Sequence, residues 1–127
     1  MSSSYTIFFV DDEVDLVNFA AIQLGNKGYQ VIPAHNGKEA LELLKNIRPD
    51  LIILDVNMPK MGGLEFYRIL TSKEEYATIP VIFLTARAEL EEVLTKELKV
   101  DGFLPKPFRS DQLFAEVARV LAKSKNA

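Results

Sequence analysis

The sequence predicts an α/β domain built on one doubly wound parallel sheet with strand order 2-1-3-4-5. Short apolar runs alternate five times with stretches of helical spacing, the pattern of successive βαβ units with helices on both faces of a sheet. One run, Leu51-Ile52-Ile53-Leu54, is apolar at every position, as a strand covered on both faces must be. Right-handed crossovers leave few topologies. The chosen order puts the switch point between strands 1 and 3, and ligands of open parallel sheets bind beyond the carboxyl ends there. A length of 127 residues with 48% hydrophobic content suits a single core.

The strands are read at Tyr5–Val10, Tyr29–Pro33, Leu51–Leu54, Val81–Leu84 and Gly102–Leu104. Val14, Val17, Ala21 and Leu24 lie on one face of a first helix, which Gly28 ends in a left-handed turn. Asn36 caps a second, with Ala40, Leu41, Leu44 and Ile47 inward and Pro49 closing it. Gly62-Gly63 opens a third, with Leu64, Tyr67 and Leu70 inward. Leu90, Val93, Leu94 and Leu98 make the stripe of a fourth, opposite a solvated face of Glu89, Glu91, Glu92, Lys96 and Glu97. Ser110 caps a fifth, with Leu113, Phe114, Val117 and Leu121 packed inward. The domain is expected over residues 5–123, with flexible tails at 1–4 and 124–127.

Composition removes several function classes. A net charge of −3 argues against direct nucleic-acid binding, which favours a basic surface. Without cysteine there is no thiol chemistry or cysteine-bound metal. No apolar run is long enough to span a membrane, and Met1–Ser4 lacks the basic-then-apolar pattern of a leader. A soluble, cytoplasmic domain is expected.

The chemistry gathers at strand ends. Strand 1 ends in Asp11-Asp12-Glu13 and strand 3 in Asp55. Pro59 has no N–H to continue a ladder, so the chain turns just beyond Asp55. Carboxylates facing one crevice repel unless a cation intervenes, and oxygen donors alone suit a hard ion such as Mg²⁺. Strand 4 ends in Thr85-Ala86 and strand 5 runs into Lys106-Pro107; a hydroxyl and a lysine suit a phosphoryl oxygen beside Mg²⁺. A cis Lys-Pro bond would direct the lysine back into the crevice. Singly, each residue has a plainer reading: Asp11 or Asp12 as a helix cap, Thr85 and Lys106 as surface side chains. Their joint occurrence at the ends of strands 1, 3, 4 and 5 is what points to a site. His35, the one histidine, is read as an exposed loop residue outside the crevice.

Asp11-Asp12-Glu13, Asp55 followed by Met58-Pro59, Thr85-Ala86 and Phe103-Leu104-Pro105-Lys106-Pro107-Phe108 together resemble the receiver domain of two-component response regulators, in order and spacing, over essentially the whole chain. The resemblance implies a flavodoxin-like (βα)5 fold and a signalling domain, not a dedicated enzyme, that assists its own phosphotransfer and dephosphorylation. It implies that Asp55 takes a phosphoryl group from the phosphohistidine of a sensor histidine kinase or phosphotransfer protein. Asp12, Asp55 and the Asn57 backbone carbonyl would bind Mg²⁺, Asp11 would act mainly through water, and Thr85 and Lys106 would hold phosphoryl oxygens. Thr85 and Phe103 would form the switch. Signal would leave toward an effector or a second copy through the face of helix 4, strand 5 and helix 5. Gly62, where Asp, Asn or Ser is frequent, and Lys99-Val100, in place of Gly-Ala, depart from the family's commoner pattern, while Arg87 stands at a position variable in the family and is read as tuning water access. A haloacid-dehalogenase phosphatase is disfavoured because Asn57 stands where its acid would be, and a flavodoxin because the acidic loop repels a flavin phosphate. Nothing favours a receiver-like scaffold that works without phosphorylation.

Overall fold

The computed structural model describes residues 4–125. Five parallel strands, β1 (Thr6–Val10), β2 (Gln30–Ala34), β3 (Leu51–Asp55), β4 (Val81–Thr85) and β5 (Gly102–Pro105), form one sheet in the order β2-β1-β3-β4-β5. The α-helices are α1 (Val14–Gly25), α2 (Gly37–Leu44), α3 (Gly63–Ser72) and α4 (Ser110–Lys125). Residues 124 and 125 continue α4; of the expected tails, 1–3 and 126–127 lie outside the described residues.

Side chains of a strand alternate between faces, and this splits the core in two. Ile7, Phe9, Leu51, Ile53, Ile82 and Leu84 pack with α1 and α4. Phe8, Val10, Ile52, Leu54, Val81 and Phe83 pack with α2 and α3. All five residues of β3 and of β4 are buried, as central parallel strands require. At the sheet's margin, β2 carries Pro33 opposite Phe9.

Several helix faces differ from those expected. On α1 the buried row is Val17, Ala20 and Leu24, while Val14 is 50% exposed. On α3, Phe66 is fully buried and Leu64 and Tyr67 only partly so. Ile47 lies beyond the end of α2. Val120 joins Leu113, Val117 and Leu121 under α4, and Phe114 packs at the margin. Ser110 is the first residue of α4 and not its cap. Leu113 donates to the Arg109 carbonyl and the Gln112 side chain accepts from the Arg109 N–H, one half of a capping box centred on Arg109. The caps expected elsewhere are present: Asn36 accepts from the Glu39 N–H at 2.8 Å, and Gly62 is the N-cap of α3. Gly28 has φ of 95°, and Tyr29 donates back to the Leu24 carbonyl, as in a Schellman turn.

The fourth crossover is helical, as expected, but not a regular α-helix. It is a 3₁₀ turn at Ala88–Leu90 followed by a π-helical stretch at Val93–Glu97. The wider turn lets Leu98 donate to the Val93 carbonyl, so residues four apart no longer align. Leu94 alone of the expected stripe is buried, with Val93 and Leu98 exposed. Lys99, where the family commonly has glycine, adopts a left-handed φ of 54°.

One close approach fixes α3 on the sheet. A Cβ at Gly63 would lie 2.0 Å from the Asp55 carbonyl oxygen and 3.0 Å from the Val56 Cα. Both obstacles are backbone, so they cannot rotate away. Gly63→Ala should therefore lower stability by about 1–3 kcal/mol, the usual cost of overpacking. Gly25→Ala, within α1 and with open space around the added carbon, should leave it unchanged or raise it by up to about 1 kcal/mol. Urea unfolding checks both, and an unchanged midpoint for Gly63→Ala would refute the packing account.

Candidate functional site

Strand register assembles the site. Val10 pairs with Leu54, so one step further Asp11 faces Asp55. Both are buried, at 0% and 4% exposure, as is Thr85 at 1%. Asp12 is exposed on the following loop. Asp11, Asp12 and Asp55 each offer a carboxylate oxygen within 4.8 Å of the others. Asp12 and Asn57 line one side of a cleft of about 340 Å³ with Val56, Met58, Pro59 and Gly62. Thr85 ends β4, and its Oγ1 accepts from the Arg87 N–H at 3.0 Å. The hydroxyl proton remains free to be donated.

Lys106 closes the ring from β5. Its N–H donates to the Thr85 carbonyl at 2.9 Å, and the Lys106-Pro107 bond is cis. Its Nζ lies 2.6 Å from Glu13 Oε1, 2.8 Å from Asp11 Oδ2 and 3.5 Å from Asp55 Oδ1. The structure thus brings Asp11, Asp12, Asp55, Thr85 and Lys106 together, with Asn57 at the rim.

Phe103 stands apart from the carboxylates. It is half-buried against the core on the α2 and α3 face and pairs with Phe83, two residues before Thr85. Its N–H donates to Glu116 Oε2 at 3.0 Å. Arg119 bonds both oxygens of that carboxylate and the Asp101 carbonyl. Arg87 turns to Glu89 at 3.1 Å. His35 is half-buried, its Nδ1 3.3 Å from the Asp11 carbonyl, so it borders the crevice where an exposed loop position was expected.

Three roles were missed from sequence. The acidic triplet shows Glu13, but nothing local couples it to a lysine 93 residues away. The i,i+3 spacing suggests the Glu116–Arg119 pair but not its reach to Phe103. The contact of His35 with Asp11 needs the pairing of β1 and β2.

The electrostatics follow from crowding. Burial, then the Asp11 charge, lift the Asp55 carboxyl to about 6 against the pull of Lys106, with Asp12 adding to the rise. Burial likewise raises Asp11 by more than Lys106 lowers it. Burial alone would lower Lys106, yet its pairing with Asp11 and Glu13 holds it above the ordinary lysine value. Asp11 Oδ2 is buried and, though 2.8 Å from the ammonium, takes part in no aligned hydrogen bond. Three clustered carboxylates, with only oxygen donors and one ammonium among them, fit a hard divalent cation such as Mg²⁺.

Known proteins bear this architecture out. The family model described as the response regulator receiver domain matches residues 7–118. The transcriptional regulatory protein CpxR of Escherichia coli is 41% identical over 119 residues, which is 93% of this chain and 50% of CpxR. The alkaline phosphatase synthesis transcriptional regulatory protein PhoP of Bacillus subtilis is 38% identical over 122 residues, 95% of this chain and 50% of PhoP. The chain thus spans about half the length of these curated relatives. Among solved structures, the chemotaxis response regulator CheY4 of Vibrio cholerae superposes with a TM-score of 0.85 at 33% identity, covering 93% of this chain and 99% of that one. The receiver domain of a histidine kinase from Syntrophus aciditrophicus gives 0.85 at 34%, covering 98% and 95%. The expected strand order is the observed one, and a family match from Ile7 to Ala118 takes in every strand but the first residue of β1; the chain belongs to the receiver domains of two-component response regulators.

Proposed function

We propose that Asp55 accepts a phosphoryl group from the phosphohistidine of a sensor histidine kinase or phosphotransfer protein, with Mg²⁺ as cofactor. The observation that carries this reading is the setting of the Asp55 carboxylate. It ends a central strand, is buried, faces Asp11 and lies 3.5 Å from the Lys106 ammonium. An Asp55 oxygen attacks phosphorus, the P–N bond breaks with its electron pair returning to imidazole, and the new P–O bond makes an acyl phosphate. A carboxylate is a weak nucleophile, so the reactive donor, positioning and charge neutralisation carry the step. Asp12, Asp55 and the Asn57 backbone carbonyl would hold Mg²⁺, with Asp11 acting through water; the ion, when bound, supplies charge neutralisation on the transferred group. Thr85 donates its free hydroxyl proton to one phosphoryl oxygen and Lys106 pairs with another. Water later removes the group in a step the domain assists.

The response is read at the face of the fourth crossover, β5 and α4. Thr85 moving toward the phosphoryl group leaves room on the face that Phe103 shares. A ring turning inward gains about 2 kcal/mol of apolar burial, enough to bias a reversible two-state equilibrium more than tenfold. That face meets an effector or a second copy. The domain works in the cytoplasm and touches neither membrane nor nucleic acid itself. Among the described residues no helix is long and apolar enough to cross a membrane, and the net charge is −3. In the relatives named for transcriptional regulation, this chain matches only half the length.

Incubated with a small phosphodonor and Mg²⁺, the protein should gain one phosphoryl group by intact mass and Asp55→Asn none; a phosphorylated Asp55→Asn would show the acceptor to lie elsewhere.

The raised Asp55 value sets a pH dependence in chelator-treated protein. Asp55 holds its proton to about pH 6 folded, against 3.8 as the ordinary value. The folded state therefore binds the proton more tightly, and this contribution to stability is lost as pH rises from about 4 to about 6. Asp55→Asn should remove that slope and stabilise the metal-free protein by about 1–3 kcal/mol at pH 7. Denaturant unfolding across this range measures it, and a variant no more stable than the parent would contradict the assignment.

Lys106→Ala should still accept phosphate yet transmit poorly. Hydrogen exchange with a beryllofluoride mimic should change protection on the fourth crossover, β5 and α4 in the parent and not in the variant. Changes confined to α1 and α2 in the parent would overturn the proposed output face.

A further inference from the structure

We propose that Glu13 is an internal competitor for Lys106, a carboxylate that holds the ammonium off the acceptor and sets how readily the site takes a phosphoryl group. The proposal rests on the reading of Asp55 as acceptor.

Glu13 holds the shortest contact of Lys106, at 2.6 Å, against 3.5 Å to Asp55. An ammonium has three donors, and the two nearest oxygens belong to Glu13 and Asp11. Glu13 occupies the N-cap of α1 with extended backbone, yet its side chain makes no capping hydrogen bond. It is committed instead across the crevice, to a lysine contributed by the loop after β5.

The two partners differ in freedom. The Glu13 side chain is 61% exposed and that of Lys106 only 12%. When a more highly charged group arrives on Asp55, Glu13 is the partner able to leave for water. It lines a cleft of about 340 Å³ with Leu16, Ala86, Lys106, Pro107 and Phe108, so there is space to withdraw. A phosphoryl group offers Lys106 three acceptor oxygens and a larger charge than a carboxylate. Exchange of one for the other requires rotation of the lysine head, with no backbone movement. Glu13 thereby acts as a positioning residue, and its strength as a rival fixes part of the cost of phosphorylation.

The test uses beryllofluoride with Mg²⁺ as probe, titrated by NMR. Glu13→Gln should bind it about two- to fivefold more tightly than the parent, the range expected for a partly exposed ion pair. Asp15→Asn removes the same charge from the first turn of α1 without an ion pair to Lys106, and should leave affinity unchanged. In a Lys106→Ala background the effect of Glu13→Gln should vanish. In metal-free protein the Lys106 ammonium nitrogen resonance should shift in Glu13→Gln and not in Asp15→Asn, a readout that general loss of charge does not move. Equal tightening by Asp15→Asn, tightening that survives in Lys106→Ala, or no tightening in a parent that binds the probe would each overturn the role of Glu13. A parent that fails to bind beryllofluoride removes the acceptor reading itself, and the competitor with it.

Discussion

One ammonium set among carboxylates governs this end of the molecule. Lys106 is paired with Asp11, Glu13 and Asp55 at once, and among the described residues these are its only ion pairs. Two of those carboxylates are buried. Removing water strengthens both their repulsion and their attraction to the lysine, so neither can be assigned a charge state without the other. The site is held together by a balance of large opposing electrostatic effects, and that makes it responsive to an added cation or anion.

The backbone makes such crowding tolerable. Parallel pairing of β1 with β3 and β4 with β5 sets the acidic loop Asp11-Asp12-Glu13 against Asp55, Thr85 and Lys106, which come from three other strand ends. The chain between Asn57 and Gly62 is braced from both sides. Gly63 donates to the Val56 carbonyl, and Gly37 at the start of α2 donates to the Met61 carbonyl. Lys60 within it takes a left-handed φ of 69°, a conformation a non-glycine residue keeps only when its surroundings hold it. Asp55 therefore lies beside a braced segment, while Lys106 and Glu13, which pair across the crevice, are long and rotatable.

The fold was legible because burial on two faces leaves an unmistakable mark in Leu51–Leu54 and Val81–Leu84. Strand ends slipped by about one residue, since Asp55, Thr85 and Pro105 pair in the ladder despite belonging by chemistry to the site. Helix faces were read less well for a geometric reason. Spacings of three and four both satisfy a helix, so Ala21 was chosen over Ala20, and Leu64 and Tyr67 over Phe66. In the fourth crossover periodicity placed Leu90 and Leu94 inward but failed for Val93 and Leu98, because a π-turn changes the repeat on which the reading depends. The site's members were visible as types at strand ends. Their partners were not, because the pairing of Glu13 with Lys106 and of Glu116 with Phe103 exists only once distant segments meet.

The carboxylate of Glu116 on the Phe103 N–H also bears on the edge of the sheet. An open sheet has two edges, and unpaired edge amides invite a strand from another molecule. On β2, Pro33 has no amide hydrogen to offer. On β5, the Phe103 amide is already bonded to Glu116, which Arg119 pins in place. Each margin thus has a donor removed from reach of an incoming strand. An incoming strand would find a gap in the row of donors at either edge, which disfavours extension of the sheet into a continuous ladder between molecules.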